Sequence, residues 1–166
     1  MTGDLELRMT SGDIPAASAV LTAAATALVA RGEPLWPPKT LTPERLLRHY
    51  AVSPWRVAWR GGQVVACMSL LHSDPPFWPD DVPGTAQYLH KLAVHPDAQG
   101  QRLSSWMVQK AMSEARRAGV PALKLDTATS RPKLRALYEG SGFRSVGRKT
   151  VFGFDVTLDV LDLYVA

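Results

Sequence analysis

The segment AVHPDAQGQRLSSWM, residues 93–107, runs from an apolar stretch through a glycine-bearing turn into an amphipathic pattern. A strand–turn–helix of this kind can hold a phosphate. The N–H groups of a helix's first turn have no intrahelical acceptor, and the helix dipole favours negative charge beside them. Gln99, Gly100, Gln101, Arg102, Leu103 and Ser104 can all present backbone N–H groups there, since only proline lacks that donor. Glycine before a helix also occurs in many helices that bind nothing, so the turn alone does not assign a ligand.

Other reactive side chains are few. Of four histidines, His90 lies in the apolar run before the turn and His95 within it. His72 falls at a strand end, and His49 sits late in a short helix where its charge suits the dipole. The single cysteine, Cys67, is embedded in VVACMSLL and reads as a buried, inert thiol. It can form no intrachain disulfide, which suits a reducing compartment. No Cys/His/carboxylate cluster has metal-ligand spacing, and the prolines of DPPFWPDD argue against a calcium loop, so no metal is expected. Asp74, Asp80 and Asp81 of that loop are either solvated or draw a cation to a pocket mouth. Trp36 and Trp78 are candidate pocket walls, because aromatic faces suit apolar and cationic ligands. Trp55 and Trp59 alternate in WRVAWR and read as core.

Periodicity and punctuation outline the strands and helices that carry these groups. LELRM alternates as a first strand. Asp13 caps a helix that runs to about Ala30, with Pro15 in its first turn, and Gly32 stops it. Thr42 caps a short second helix with Pro43 at its first position. WRVAWR and QVVACMSLL are strands joined by Gly61 and Gly62, the second buried on both faces. TAQYLHKLAV is a long strand ended by Pro96. A helix is expected from about Gln99 to Ala118, with Leu103, Trp106, Met107, Ala111 and Ala115 as its apolar stripe. PALKLDTA is a strand, Ser130 and Pro132 open a helix that Gly142 ends, and FRSVGRKTVF and VTLDVLDLYV close the chain as strands. Two strand–helix–strand units in the C-terminal half imply a parallel pair inside a mixed sheet.

Composition bounds the class. The chain has 166 residues, 46% hydrophobic and 20% charged, with a net charge of +4. One domain over 1–166 is expected. The basic residues are scattered, without the stripe or tail of a nucleic-acid-binding protein. The apolar run IPAASAVLTAAATALVA is shorter than a membrane span requires, and the acidic start MTGDLELRMT is unlike a signal peptide. A cytoplasmic protein with no membrane or nucleic-acid partner is expected.

LHKLAVHPDAQGQRLSSWMVQKA and LRALYEGSGF resemble the GNAT superfamily of N-acetyltransferases, and the element order follows that superfamily over nearly the whole chain. Its long strand ends in L-x-V-x-P, matched by Leu92, Val94 and Pro96. Next comes Arg or Gln followed by x-x-Gly-x-Gly/Ala. Gln99 and Gly100 fit, whereas Arg102 and Ser104 stand where glycine and Gly/Ala are expected. LYEGSGF is close to LYExxGF, with Arg131 in place of an asparagine seven residues before the tyrosine. The tryptophan-bearing loops look like a bacterial branch. The resemblance implies an α/β fold, a mixed twisted sheet with helices on both faces, and transfer of acetyl from acetyl-CoA to an amine.

It also implies roles. Backbone N–H groups near Leu92, Ala93 and Val94 would hold the thioester carbonyl, and residues 99–104 the pyrophosphate. Tyr138 would protonate the leaving thiolate. His90, two residues before Leu92 and so on the same face of a regular strand, would deprotonate the acceptor, where relatives often carry a glutamate; a satisfied structural histidine is the plainer alternative. The readings are an N-acetyltransferase acting on a small-molecule or peptide amine by direct attack in a ternary complex, or a non-catalytic CoA-binding or degenerate GNAT-fold module, which Arg102, Ser104 and Arg131 favour. An exposed apolar edge in the last strand would let two copies pair as a homodimer.

Overall fold

The structure is a computed structural model that describes residues 6–164. Its strands are β1 (Leu7–Ser11), β2 (Trp55–Arg60), β3 (Gln63–Leu71), β4 (Ala86–Val94), β5 (Ala122–Ala128), β6 (Arg144–Val151) and β7 (Phe154–Asp162). Its α-helices are α1 (Ile14–Ala30), α2 (Pro43–His49), α3 (Leu103–Arg117) and α4 (Pro132–Gly140). The strands form one mixed seven-stranded sheet in the order β1-β2-β3-β4-β5-β7-β6. Contacts divide the chain into two compact units, one holding the residues up to Ser69 with Lys91–Met107, the other Leu70–His90 with Val108 onward.

In the first unit, β1 pairs antiparallel with β2, and β2 with β3 through the Gly61–Gly62 turn. α1 begins at the Asp13 cap, whose carboxylate accepts the Ala16 N–H at 3.0 Å. Its alanines leave a smooth face, and Ala17, Val20, Leu21 and Ala25 bury completely against Trp55, Val57 and Cys67. Thr42 caps α2 by accepting the Arg45 N–H at 3.3 Å. The Ser18 hydroxyl donates to the Leu41 carbonyl at 2.6 Å and pins the intervening loop to α1.

In the second unit, β4 pairs parallel with β5 from Ala86↔Ala122 to Leu89↔Leu125. β5 continues antiparallel to β7 over its whole length, and β7 to β6. Ala86, Tyr88, Ala122 and Val160 form a small apolar cluster with Leu71 and Trp78.

Four expectations change. The last strand is no edge: β7 lies between β5 and β6, so the edge invoked for a homodimer is already paired on both sides. α3 starts at Leu103, four residues after Gln99, because Pro96–Ala98 form a separate single 3₁₀ turn and residues 99–102 are non-helical. The N-cap of α4 is Arg131, without a side-chain bond, in place of Ser130. The first strand begins at Leu7; Leu5 of LELRM and Val165 of the last run lie outside the described residues.

Candidate active site

In the first unit the strand–turn–helix is built in steps. The His95 N–H donates to the Val65 carbonyl at 2.8 Å and anchors the end of β4. His95 then caps the 3₁₀ turn, its Nδ1 accepting the Asp97 N–H at 3.2 Å. The Gln99 amide folds back and donates to the Val94 carbonyl at 3.2 Å. Gly100 takes φ +80°, as its lack of a Cβ allows. Arg102 also takes a left-handed backbone, φ +58°. Its good helix propensity predicts an unstrained residue here; the structure instead gives it the conformation usual for glycine, at a cost of roughly 1–2 kcal/mol.

That bend sets the start of α3. The first α-helical bond runs from the Trp106 N–H to the Arg102 carbonyl at 3.1 Å. The N–H groups of Leu103, Ser104 and Ser105 precede it and have no intrahelical acceptor. Leu103, 2% exposed, fixes the helix start in the core while Gln99, Gly100, Gln101 and Arg102 stay exposed. The turn therefore offers exposed backbone beside a helix N-terminus, the arrangement an anion needs.

Upstream, Lys91 also has a left-handed backbone, φ +52°. It breaks the alternation of β4, so the two-residue rule does not carry from His90 to Leu92. Ala93 and Val94 are buried and Leu92 is half-buried. The Lys91 ammonium sits 4.5 Å from the centre of the Trp36 ring, so a cation already occupies that aromatic face. Cys67 is fully buried, and desolvation pushes its thiol well up although the Lys91 charge pulls the other way, as suits an inert residue.

In the second unit the parallel register of β4 and β5 determines the neighbours. Tyr88 stands beside Lys124, and one step beyond the last registered positions on that face come His90 and Asp126. His90 Nε2 lies 2.6 Å from Asp74 Oδ2 and 3.8 Å from Asp126 Oδ1. The Phe77 ring packs against the imidazole at 5.8 Å between centres. Asp81 accepts from the Tyr88 hydroxyl at 2.5 Å and from the Lys124 ammonium at 2.8 Å. Lys124 also lies 4.7 Å from the Trp78 ring centre, so Trp78, like Trp36, carries a lysine. Of the three loop carboxylates only Asp80 is fully solvent-facing; Asp74 is buried and Asp81 is bonded.

Tyr138 is 7% exposed, edge-on to Phe143. Burial pushes its phenol well up, and the charges of Asp126 and Asp159 push it further. The group is a protonated phenol at any physiological pH, a condition for donating a proton. Asp159, itself raised by burial, accepts from Thr127 at 3.3 Å. Among the described residues, Asp74, His90 and Asp126 are the group whose ligand-type atoms all fall within 4.8 Å of one another. No spacing in the sequence brings residues 74, 90 and 126 together. The β4–β5 pairing is the signal that would have revealed Asp126.

His72 and His49 are exposed, and His95 serves the turn. Among the described residues no helix is long and apolar enough to cross a membrane.

No curated protein matches the sequence. Solved structures match along nearly the whole chain. The ribosomal-protein-S18-alanine N-acetyltransferase from Escherichia coli superposes with a TM-score of 0.70 at 21% identity, covering 97% of this chain and 96% of that one. The Salmonella typhimurium protein yncA, determined with its cofactor acetyl-CoA, gives 0.65 at 19% identity over 95% and 94%. An N-acetyltransferase from Staphylococcus aureus Mu50 gives 0.69 at 17% identity over 96% and 99%. These likenesses establish the fold. The acetyltransferase (GNAT) family pattern matches residues 22–143, most of the chain, and the protein belongs to that family.

Proposed function

We propose that the protein transfers acetyl from acetyl-CoA to a primary amine of a small molecule or peptide, by direct attack in a ternary complex. The observation that carries this reading is the turn itself. Arg102 takes a left-handed backbone of the kind glycine favours, which supports a turn that can still receive phosphate. The same fact weighs against a degenerate, non-binding module. The family match runs through both compact units, which supports treating residues 1–166 as one catalytic domain.

Acetyl-CoA supplies a thioester carbonyl and a thiolate leaving group. Backbone N–H groups of Gln99 to Ser104 would hold its pyrophosphate, with the exposed Arg102 guanidinium pairing to phosphate oxygens. An N–H of the Leu92–Val94 stretch would hold the thioester carbonyl as it gains charge. His90 takes one proton from the acceptor ammonium. The amine nitrogen then bonds to the carbonyl carbon, loses its second proton to solvent, and the carbon–sulfur bond breaks. Tyr138 gives its proton to the sulfur and regains one from solvent. Trp36 and Trp78 would each offer an aromatic face to the acceptor. The Escherichia coli neighbour is named for a protein alanine, which is in keeping with a peptide acceptor.

An amine and peptide panel, with thiol release as the readout, tests this. Thiol release that requires both acetyl-CoA and an amine is expected. Acetyl-CoA at a hundred times its Kd should also add about 2.7 kcal/mol to stability in a thermal shift. No thermal shift and no release with any amine would remove the proposal.

A further inference from the structure

Residues 72–85 join β3 to β4 and carry four prolines, Pro75, Pro76, Pro79 and Pro83. Each proline fixes its φ and lacks an N–H, so the loop has few conformations to choose from and few donors to offer the sheet. Phe77, Trp78 and Asp81 use their N–H groups within the loop. The Asp74 carbonyl accepts from Phe77 at 3.2 Å and Trp78 at 2.8 Å, and the Trp78 carbonyl accepts from Asp81 at 3.4 Å. Side chains make the tie to the sheet. Asp81 Oδ2 accepts from the Tyr88 hydroxyl on β4 at 2.5 Å and from the Lys124 ammonium on β5 at 2.8 Å. Tyr88 and Lys124 are register partners, so one carboxylate bridges two parallel strands. Both sheet groups need that acceptor, because Tyr88 is 3% exposed and the Lys124 side chain 17%. The loop's rings follow the same strands. Trp78 packs 6.4 Å from the Tyr88 ring and 4.7 Å from the Lys124 ammonium, and Phe77 lies 5.8 Å from the imidazole of His90.

We propose that Asp81 is a positioning residue: by bridging Tyr88 and Lys124 it fastens the β3–β4 loop over the sheet and holds Phe77 and Trp78 in place for the acceptor. The inference rests on the acetyl transfer proposed above. Asp81 makes and breaks no bond in that reaction, and neither do Tyr88 and Lys124. The fastening can therefore be loosened without changing His90 or Tyr138. A loosened loop presents its two rings in many positions, so the acceptor binds more weakly, while the turn at residues 99–104 keeps its hold on acetyl-CoA. The loop carries its own reporter. Trp78 Nε1 is buried without a hydrogen-bond partner among the described residues, so only the closed loop keeps solvent from that N–H. Trp55 Nε1, in the first unit, is buried and unpartnered in the same way and reports wider opening of the fold.

Hydrogen exchange of the indole N–H groups, followed by NMR and assigned with Trp78→Phe and Trp55→Phe, reads the fastening without substrate. In Asp81→Ala the Trp78 indole should exchange about tenfold faster, with Trp55 unchanged. Tyr88→Phe removes one of the two bonds and should give a smaller rise, and Asp81→Glu should recover part of the protection. In turnover, Asp81→Ala should raise the acceptor's KM about tenfold with the KM for acetyl-CoA unchanged. Wild-type exchange of Trp78 in Asp81→Ala, or an equal acceleration of Trp55, overturns the fastening and leaves acetyl transfer standing. Faster Trp78 exchange with an unmoved acceptor KM overturns the positioning role. A wild type that releases thiol with no amine overturns acetyl transfer, and the acceptor part of the inference with it.

Discussion

Arg102 offers its carbonyl to the Trp106 N–H at 3.1 Å from a backbone at φ +58°. A residue with a side chain thus opens α3 in the conformation a glycine would adopt. Replacing it tests both the strain and the charge. Arg102→Gly relieves roughly 1–2 kcal/mol of backbone cost and returns roughly 0.5–1 kcal/mol through the freer unfolded chain, so stability rises slightly or holds. Binding should move the other way, with Kd for acetyl-CoA about tenfold weaker at low salt and a shallower salt dependence. Calorimetric titration at two ionic strengths checks this. Tighter binding by the variant would mean that the guanidinium blocks the turn.

Tyr138→Phe should lower kcat by about 10²-fold or more while the Kd for acetyl-CoA stays within twofold, roughly. The hydroxyl is needed when the thiolate leaves and not when the cofactor docks. Steady-state rates beside equilibrium titration separate the two, and an undiminished kcat would take the phenol out of the reaction.

His90→Ala should cost most near neutral pH and least at alkaline pH, where the acceptor is already a free amine. A pH–rate profile with an unchanged shape in the variant would make His90 a structural residue.

Alkaline stability gives a check that needs no substrate. Burial raises the Cys67 thiol and the Tyr138 phenol above their ordinary values of 9.0 and 10.0. A raised folded value favours the protonated group, so the stability it confers is complete below those values and is lost as pH climbs past them. Each group adds about 1.4 kcal/mol per pH unit to that decline. Urea unfolding between roughly pH 8 and 11 should show a shallower fall in Tyr138→Phe than in wild type. Equal slopes would show that the phenol ionises freely.

Trp36→Ala and Trp78→Ala should each raise the acceptor's KM more than that of acetyl-CoA. Each ring is already faced by a lysine, Lys91 or Lys124, so part of the effect should appear as a freed cation. Lys91→Met and Lys124→Met, which leave the rings in place, should change the KM for acceptors according to acceptor charge. A larger effect on acetyl-CoA would place the acceptor elsewhere.

Features under local chemical control were legible in the order of the residues. Asp13 and Thr42 cap the helices expected of them because a short polar side chain reaches the N–H three residues on. The glycine pair ends β2, Pro96 ends β4, and the family motif locates the turn. Residue type and resemblance also singled out His90 and Tyr138, whose catalytic roles are proposals. Features that depend on strand order were legible only in the folded chain. Whether β7 is an edge cannot be read from its own pattern, because the strand that covers it is set by where β6 folds back. Asp74, His90 and Asp126 are brought together by a loop and a parallel register, and no periodicity encodes that proximity. The conformation of Arg102 is of the same kind. Helix propensity is a preference of roughly a few tenths of a kcal/mol, too weak to dictate the backbone of one residue in the turn between the buried Val94 and Leu103.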